Sequence, residues 1–362
     1  ITVLVSSLGI GGGEQMLLEL LRTINRQVFS IQVLFLRSPG PVGREVAKLG
    51  YPVTSDILRF RFDPCGISRL SRELRRTAPH ILFLNNHFNT LFFGMPAARR
   101  AGIPLPTCVN WNHETFRRYP LHRITMAIWT RLQRQVDIMV VVAKTQKEHI
   151  MRENGIPGRK MTVIYNAIAP EKFSSSLAAT DARRRLGLPA ECPVVSMIAA
   201  LRPDKAPGVF LQAARIVLKS VPGAHFLIVG DGPEKERLAE IVRDTGLQEQ
   251  IHLLGARRDI GDILAAVDVN TLSSDKEILS VAALESMSAG IPMVCTDVGA
   301  MREIITPGVT GFVVERRNPG ALADALIKIL REPDQRKKMG ANARGLVLEK
   351  FTIRHMTSEF ER

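Results

Sequence analysis

Residues 268–303 read DVNTLSSDKEILSVAALESMSAGIPMVCTDVGAMRE, and this stretch decides the fold. An apolar run at 267–272 predicts a strand, residues 273–277 are polar, and residues 280–289 have a helical pattern. Gly290 and Pro292 end that helix, and a second short apolar run, 292–296, begins at once. A strand, loop, helix and strand in this order predict a parallel α/β sheet, in which ligands bind beyond the carboxyl ends of the strands.

Two carboxylates follow the first of these strands. Glu277 lies in the polar loop and Glu285 in the helix, and the free N–H groups around Ser280 and Val281 lie between them. Such amides attract phosphate, whereas carboxylates repel phosphate and accept hydrogen bonds from sugar hydroxyls. The stretch therefore suits a ligand that has both phosphates and diols. Solvated side chains on a loop and a helix are the alternative interpretation.

Composition sets wider limits. The 362 residues are enough for two domains, and 45% apolar and 23% charged residues are typical of globular proteins. No apolar run approaches the ~20 residues that cross a bilayer, and no signal-peptide pattern is present. The four cysteines are scattered without a C-x-x-C pair, which favours a cytoplasmic protein with reduced thiols and no metal site.

The positive charge is concentrated in the first half of the chain. Residues 1–176 contain 24 Lys and Arg against 11 Asp and Glu, whereas residues 177–362 contain 25 against 24. A basic half beside a neutral one predicts an acidic partner for the first half. Nucleic acid is not favoured as that partner, because the sequence has no zinc-finger, RNP-like or helix-turn-helix pattern. An anionic membrane surface or a phosphorylated acceptor fits better, and a merely solubilising basic surface is the alternative.

Strands and helices also alternate through the first half. A strand at 1–7 enters the glycine-rich turn that contains Gly12, Gly13 and Glu14, which matches neither the G-x-G-x-x-G fingerprint nor a P-loop. Two later strands end near His87 and His113, on the edge where such sheets bind ligands.

The segment 117–134 combines apolar and basic residues. Its spacing indicates either an interfacial helix on anionic lipid or a core-packed helix with a basic outer face.

Several motifs together resemble the family-4 retaining glycosyltransferases, the glycogen-synthase-like group with the GT-B fold. The likeness covers nearly the whole chain and departs from the family pattern at Ala167, Ala200 and Ile278. The motifs are the pair Glu277 and Glu285, the turn 12–14, His113-Glu114, the linker-like run 166–173, Lys205, the turn 230–234 and the strand 310–314.

The resemblance implies a role for each matching residue. His113, Lys205 and Glu277 would be catalytic, with Lys205 beside the leaving diphosphate and Glu277 on donor-sugar hydroxyls. Arg202 would replace the family arginine that is absent at Ala200. Glu14 and His87 would lie on the acceptor side. The donor-binding residues would be Gly12, Gly13, Arg202, Gly230, Ala256, Arg257, Leu279, Ser280, Val281 and Glu285.

The sequence thus predicts an α/β protein with two doubly wound, Rossmann-like domains that face each other across a cleft. Residues 1–173 would form the acceptor-side domain, 174–190 the boundary and 191–350 the nucleotide-sugar-binding domain, with 351–362 crossing back to the first.

The expected activity is retaining, metal-independent hexosyl transfer, without a cofactor, from a UDP- or GDP-sugar to a lipid-linked or polysaccharide acceptor. The expected location is the cytoplasm, peripherally on the inner face of the membrane. A nucleotide-sugar epimerase of the same fold and a catalytically silent nucleotide-sugar-binding scaffold are the alternatives.

Overall fold

The computed structural model describes residues 1–9, 11–61, 63–85, 88–103, 106–110 and 122–362. The chain divides into two compact units, residues 1–166 together with 353–362, and residues 167–352. In the described part of the chain, no helix is both long enough and apolar enough to cross a membrane.

The first unit is built on a seven-stranded parallel sheet in the order β3-β2-β1-β4-β5-β6-β7. Its strands are β1 (Thr2–Val5), β2 (Gln32–Phe35), β3 (Val53–Thr54), β4 (Leu82–Asn85), β5 (Pro106–Asn110), β6 (Ile138–Val141) and β7 (Met161–Val163). Its helices are α1 (Gly12–Thr23), α2 (Gly40–Lys48), α3 (Gly66–Thr77), α4 (Phe88–Ala101), α5 (His122–Gln133) and α6 (Lys144–Asn154).

The second unit has a six-stranded parallel sheet in the order β10-β9-β8-β11-β12-β13. The strands are β8 (Val194–Ile198), β9 (His225–Val229), β10 (Ile251–Gly255), β11 (Val269–Leu272), β12 (Met293–Thr296) and β13 (Gly311–Val314). The helices are α7 (Ala179–Arg185), α8 (Pro207–Ser220), α9 (Lys235–Asp244), α10 (Ile260–Ala265), α11 (Val281–Ser288), α12 (Met301–Ile304), α13 (Pro319–Arg331) and α14 (Pro333–Lys350).

The central strands are apolar because helices cover both faces of each sheet. Every residue of β1 and β8 is buried, as is expected of strands inside a parallel sheet rather than at its edge. In the second unit α8 and α13 pack on one face, around Phe210 and Leu326. The alternating pattern of the sequence therefore corresponds to two doubly wound sheets.

The boundary between the units lies seven residues before the predicted one, at 166/167 rather than after 173. The reason is a backbone hydrogen bond of 2.9 Å from the Ile168 N–H to the Phe351 carbonyl, which joins this segment to the second unit. Residues 174–190, the predicted boundary region, contain helix α7, whose Arg183 is buried in the second unit.

A buried ion cluster joins α7 and α14 to the start of β11. The Asp268 carboxylate accepts from Arg183 at 2.9 Å, from Arg336 at 3.0 Å and from the Val194 N–H at 2.8 Å. Arg183 also donates to the carbonyls of Ala266 and Ala190. All these groups are satisfied away from bulk water, so the carboxylate holds three separate segments in register.

A further helix, α15 (Ile353–Glu361), belongs to the first unit although it follows the second in the chain. It packs on α1 through a 2.5 Å contact between the Thr23 and Thr357 hydroxyls, and Glu361 accepts from the Asn25 N–H at 2.7 Å. Phe360 lies 6.1 Å from Phe83 of β4, measured between ring centroids. Helix α15 therefore packs against the first unit beside α1 and β4.

Two histidines stack at the amino edge of the second sheet. His225 Nδ1 and His252 Nε2 are 3.0 Å apart, and the ring planes differ by 20°. Partial burial lowers the pKa of both imidazoles, and for His252 the charge of His225 lowers the pKa further. Both rings are therefore neutral at pH 7 in the folded protein.

This pair predicts acid sensitivity. An unfolded histidine titrates near 6.5 and a folded one at lower pH, so the unfolded chain binds more protons between these values. The contribution of the two neutral histidines to the free energy of unfolding should be complete above pH 6.5. It should be lost as the pH falls below that value. We expect urea unfolding from pH 7 to 5 to show this loss, and His252→Gln to reduce it. His80→Gln, at an exposed site, should keep the wild-type profile, and a profile unchanged by His252→Gln would contradict this assignment.

Candidate functional site

The candidate site lies at the carboxyl edge of the second sheet, where the strand order reverses. The chain moves outward from β8 to β9 and β10, then returns to the other side of β8 to form β11. The loops that leave β8 and β11 thus diverge and leave a crevice, the usual ligand position in such sheets. Lys205 follows β8 and Glu277 follows β11.

Lys205 and Glu277 form a direct ion pair. Lys205 Nζ lies 2.7 Å from Glu277 Oε1, and the two side chains are 16% and 8% exposed. The same oxygen accepts a hydrogen bond of 2.7 Å from the hydroxyl of Ser274, which is buried. The sequence selected Lys205 and Glu277 separately, and the structure brings them into contact. It also adds Ser274, whose position two residues after a strand was the available signal.

The loops that carry this pair are hydrogen-bonded to each other. The Ser273 hydroxyl lies within hydrogen-bonding distance of the carbonyls of Lys205 and Ala206, and the Asp275 N–H donates to the Asp204 carbonyl at 2.8 Å. These contacts fix the distance between the cation and the carboxylate before any ligand arrives.

Two residues of the β12 and β13 loops hold the Glu277 loop from its other side. Arg317 donates to both carboxylate oxygens of Asp275 at 2.7 to 3.1 Å, and this contact holds the pKa of Asp275 below its usual value. Gly299 has φ +55°, and a Cβ there would lie 2.2 Å from the Glu277 carbonyl oxygen. Sequence reasoning missed both, because neither residue is near Glu277 in the chain.

Helix α11 begins directly after this loop. Ser280 is its N-cap, and the Ser280 hydroxyl accepts from the Ala283 N–H at 3.3 Å. The amides of Val281 and Ala282 have no preceding turn of helix to bond to, so this end of the helix favours an anion. Leu279, just before the cap, is buried.

Glu285 lies one turn further along α11 and is largely enclosed by protein. Desolvation raises the pKa of its carboxyl to about 7. Among the described residues no group donates a hydrogen bond to this carboxylate, so its acceptor capacity is available to a ligand. A diol could donate two hydrogen bonds to this carboxylate and would supply the donors that the described residues do not provide.

The structure places the cation proposed as a substitute, Arg202, at the rim of this crevice. Its guanidinium pairs with Asp204 at 2.8 and 3.0 Å and is 54% exposed. The hydrogen bonds to Asp204 raise the pKa of Arg202. Arg202 therefore does not share the buried pair, and Lys205 is the cation that contacts Glu277.

Three further predicted donor-binding residues occupy neighbouring loops. Gly230 has φ +143°, and a Cβ there would lie 1.9 Å from the Ala199 carbonyl oxygen; its own amide donates to Gly255 at 2.8 Å. Close packing against this carbonyl requires a glycine here, and the role of Gly230 in donor binding stays a prediction. Ala256 and Arg257 lie in the loop after β10, where Arg257 pairs with Asp259.

In the first unit the predicted glycine-rich turn forms the start of α1. Gly12, Gly13 and Glu14 make its first turn, and the Glu14 carboxylate folds back so closely that a Cβ at Gly11 would lie 2.4 Å from it. His87 and His113 lie outside the described residues, so the structure does not place these two predicted site residues. Among the residues that the structure describes, no three His, Cys, Asp or Glu side chains form a group that could hold a metal ion.

Comparisons with known proteins assign a family to both halves of the chain. Residues 10–172 match the model described as Glycosyltransferase Family 4, and residues 179–346 match Glycosyl transferases group 1.

Two characterised bacterial enzymes are similar in sequence. The chain is 28% identical over 205 residues to the N-acetyl-alpha-D-glucosaminyl L-malate synthase of Bacillus anthracis, a match that covers 57% of this chain and about half (53%) of that enzyme. It is 27% identical over 270 residues to the UDP-Gal:alpha-D-GlcNAc-diphosphoundecaprenol alpha-1,3-galactosyltransferase of Escherichia coli, covering 73% and 70%.

Solved structures resemble the chain over its whole length. HepE of Anabaena in complex with UDP superposes with a TM-score of 0.85 at 18% identity, covering 100% of this chain and 98% of that one. This likeness shows the fold. The two family matches and the two doubly wound sheets agree, and the chain belongs to glycosyltransferase family 4, with the GT-B fold.

Proposed function

We propose that this protein is a retaining, metal-independent hexosyltransferase that moves a sugar from a nucleotide-sugar to a lipid-linked or polysaccharide acceptor. The observation that carries the proposal is the Lys205–Glu277 pair at the switch point of the second sheet, next to the open start of α11. A cation and free amides suit a diphosphate, and two carboxylates suit hydroxyls. A nucleotide-sugar has both kinds of group.

In this proposal the ion pair holds the site in the geometry that the donor needs. When the donor binds, its diphosphate replaces Glu277 as the ionic partner of Lys205. Sugar hydroxyls then donate to the Glu277 oxygen that accepts from Lys205 and Ser274 in this structure. The ribose diol donates to Glu285. Each buried charge therefore exchanges one partner for another, which limits the desolvation cost of binding.

The reaction breaks the bond between the anomeric carbon and the diphosphate oxygen. Negative charge grows on the leaving diphosphate, and Lys205 and the α11 amides stabilise that charge without rearranging. The acceptor hydroxyl attacks the anomeric carbon from the same face and gives its proton to the departing diphosphate oxygen, so that the anomeric configuration is retained. The family pattern and the charges of the site support this route.

A uridine diphosphate sugar is the first donor to test, and a GDP-sugar the second. The E. coli relative is named for UDP-Gal, and the HepE structure contains UDP. The same relative is named for a diphosphoundecaprenol acceptor, which agrees with the basic character of the first half of this chain.

The affinity for UDP-glucose should depend on pH through Glu285. If only the ionised carboxylate binds the ribose diol, a pKa of about 7 predicts a Kd that rises about tenfold between pH 8 and pH 6. UDP-glucose is the suitable probe because its diphosphate has no second ionisation in this range. Calorimetry on the unaltered protein and on Glu285→Gln tests this, since the variant should bind more weakly at pH 8 with little pH dependence. Identical pH profiles for the two proteins would remove Glu285 from the donor site.

The reaction itself is tested with a panel of UDP- and GDP-sugars, in chelator, with and without a lipid-linked acceptor. Transfer predicts free nucleoside diphosphate only when the acceptor is present, and an α-linked product from an α-linked donor. A changed sugar without acceptor would indicate an epimerase instead. Donor binding without any release of diphosphate would indicate a silent scaffold.

A further inference from the structure

A short loop at the carboxyl edge of the first sheet presents an aromatic side chain between two cations. Residues 59–61, which we call the 59–61 tip, read Arg-Phe-Arg and lie in the connection between β3 and α3. Phe60 is 56% exposed, and Arg59 and Arg61 are exposed as well. An aromatic ring held in water in this way has a cost that a partner surface would remove.

The tip is held in place from beneath rather than left loose. Asp63 is 3% exposed, and its carboxylate accepts from the N–H groups of Arg59 and Cys65 and from the guanidinium of Arg69 in α3. The hydrogen bond from the Arg59 N–H is the main cause of the lowered pKa of Asp63, so this group remains a carboxylate. The Arg59 end of the tip is thereby linked through Asp63 to Arg69 of α3.

The residues before the tip anchor it to the sheet. Ile57 and Leu58 are buried, and their N–H groups donate to the carbonyls of Phe35 and Leu36 at 3.5 and 2.7 Å. The chain thus continues along the carboxyl end of β2 and turns outward only at Arg59. Because Ile57 and Leu58 are buried and the chain then turns away from the sheet, Phe60 is left on the outside.

A second exposed apolar stripe lies in the same layer of helices. On α5, Ile124 is 55% exposed and Ile128 37% exposed, with exposed Arg131 three residues further on. The opposite side of the helix is in the core, where Trp129 is 4% exposed and stacks 6.3 Å from Phe88 of α4. Since α3 packs on α4 and α4 on α5, the helix that follows the 59–61 tip and the helix that carries this stripe belong to one continuous layer of the first unit.

We propose that the 59–61 tip and the outer stripe of α5 bind an anionic phospholipid bilayer, with Phe60 inserted among the headgroups. Charge complementarity selects this partner, because residues 1–176 carry 24 Lys and Arg against 11 Asp and Glu. Aromatic rings concentrate at the headgroup level of bilayers, and flanking arginines bind lipid phosphates. A protein partner for the same apolar residues would not need this excess of cations.

The location agrees with the proposed reaction, on which this inference rests. Ligands of a parallel sheet lie beyond the carboxyl ends of its strands, and the 59–61 tip projects at that edge. A bilayer bound there would hold a lipid-linked acceptor beside the edge where the first domain would receive it. The basic charge of this half then serves to bring enzyme and acceptor to one surface.

The test is co-sedimentation of the intact protein with vesicles of phosphatidylglycerol and phosphatidylcholine, compared with phosphatidylcholine alone. We expect binding to the anionic vesicles only, lowered about tenfold by Phe60→Ala through lost apolar contact and about fivefold by Arg59→Ala. Val28→Ala is the matched control, because Val28 is 68% exposed but precedes β2 at the amino edge of the same sheet. Equal binding by Phe60→Ala and the unaltered protein would overturn the proposal.

Insertion has a separate readout. Tryptophan fluorescence of Phe60→Trp should be quenched by brominated phospholipids more than that of the unaltered protein, whereas Val28→Trp should show no added quenching. Absence of extra quenching at position 60 would also overturn the proposal. So would a Phe60→Ala variant that binds vesicles normally but has a raised KM for a soluble glycan acceptor, because Phe60 would then stack on sugar.

Two measurements distinguish failure of this inference from failure of the proposed function. UDP-glucose binding in the absence of vesicles should be the same for Phe60→Ala and the unaltered protein. Normal donor binding without vesicle binding would contradict the surface alone. Vesicle binding by a protein that binds no nucleotide-sugar would contradict the transferase alone.

Discussion

Lys205→Ala should lower kcat for sugar transfer by about 10²- to 10³-fold, the range found when one group that stabilises developing charge is removed. Lys205 is the partly buried cation at the switch point, and among the described residues its loss leaves the departing diphosphate mainly with the α11 amides. It also leaves Glu277 buried without its counter-charge, which further opposes binding of an anionic donor. Release of nucleoside diphosphate under saturating donor and acceptor measures the effect.

Lys276→Ala is the matched control for this experiment. Lys276 lies in the same polar loop, one residue from Glu277, but its side chain is exposed. The same charge is removed from the protein in both variants, so a general electrostatic effect would change both rates alike. A Lys205→Ala enzyme with near-normal kcat, or a Lys276→Ala enzyme with the same loss, would show that the leaving group is stabilised elsewhere.

Asp268→Ala should lower the free energy of unfolding of the second unit by about 3–5 kcal/mol, the cost of breaking a buried ion pair from one side. Its carboxylate neutralises both Arg183 and Arg336, which are 10% and 20% exposed and would lose their only carboxylate among the described residues. Urea unfolding followed by far-ultraviolet circular dichroism measures the change.

Asp181→Ala provides the comparison for this prediction. Asp181 also pairs with an arginine of α7, Arg184, at 2.6 Å, but those side chains are 53% and 66% exposed. Exposed pairs contribute about 0–1 kcal/mol, so this variant should unfold at nearly the normal urea concentration. Similar effects of the two substitutions would mean that the Asp268 cluster is solvated in solution.

Sequence reasoning was effective where function and fold depend on local order. The alternation of strands and helices predicted two doubly wound sheets, and the family match confirms the recognition. Lys205 and Glu277 were predicted as site residues because they match family motifs that follow two strands of the second sheet. Their contact could not be predicted from the sequence. It depends on how far each of two loops extends beyond the sheet, and the two residues are 72 positions apart in the chain.

Other contacts were hidden from the sequence for the same reason. The family pattern suggested that Arg202 replaces a lost arginine, and the structure adds that Asp204, two residues away, binds its guanidinium at the rim. Gly230 was predicted to bind the donor, and the structure adds that a neighbouring backbone carbonyl packs against it. The polar, basic composition of 174–190 suggested a boundary, yet Arg183 is buried there because distant Asp268 pairs with it. The composition of a segment does not show which distant residues pack against it, and those residues decide whether its side chains are buried.

The return of α15 to the first unit affects the order in which the protein folds on the ribosome. Residues 1–166 are synthesised first, but the face of their sheet around Phe83 gains its Phe360 contact only after residues 167–352 have emerged. The second unit is one continuous segment and has all six strands of its sheet before that point. The first unit is thus completed only after the second has been synthesised, and in the interval its apolar surface around Phe83 is open to chaperones or to aggregation.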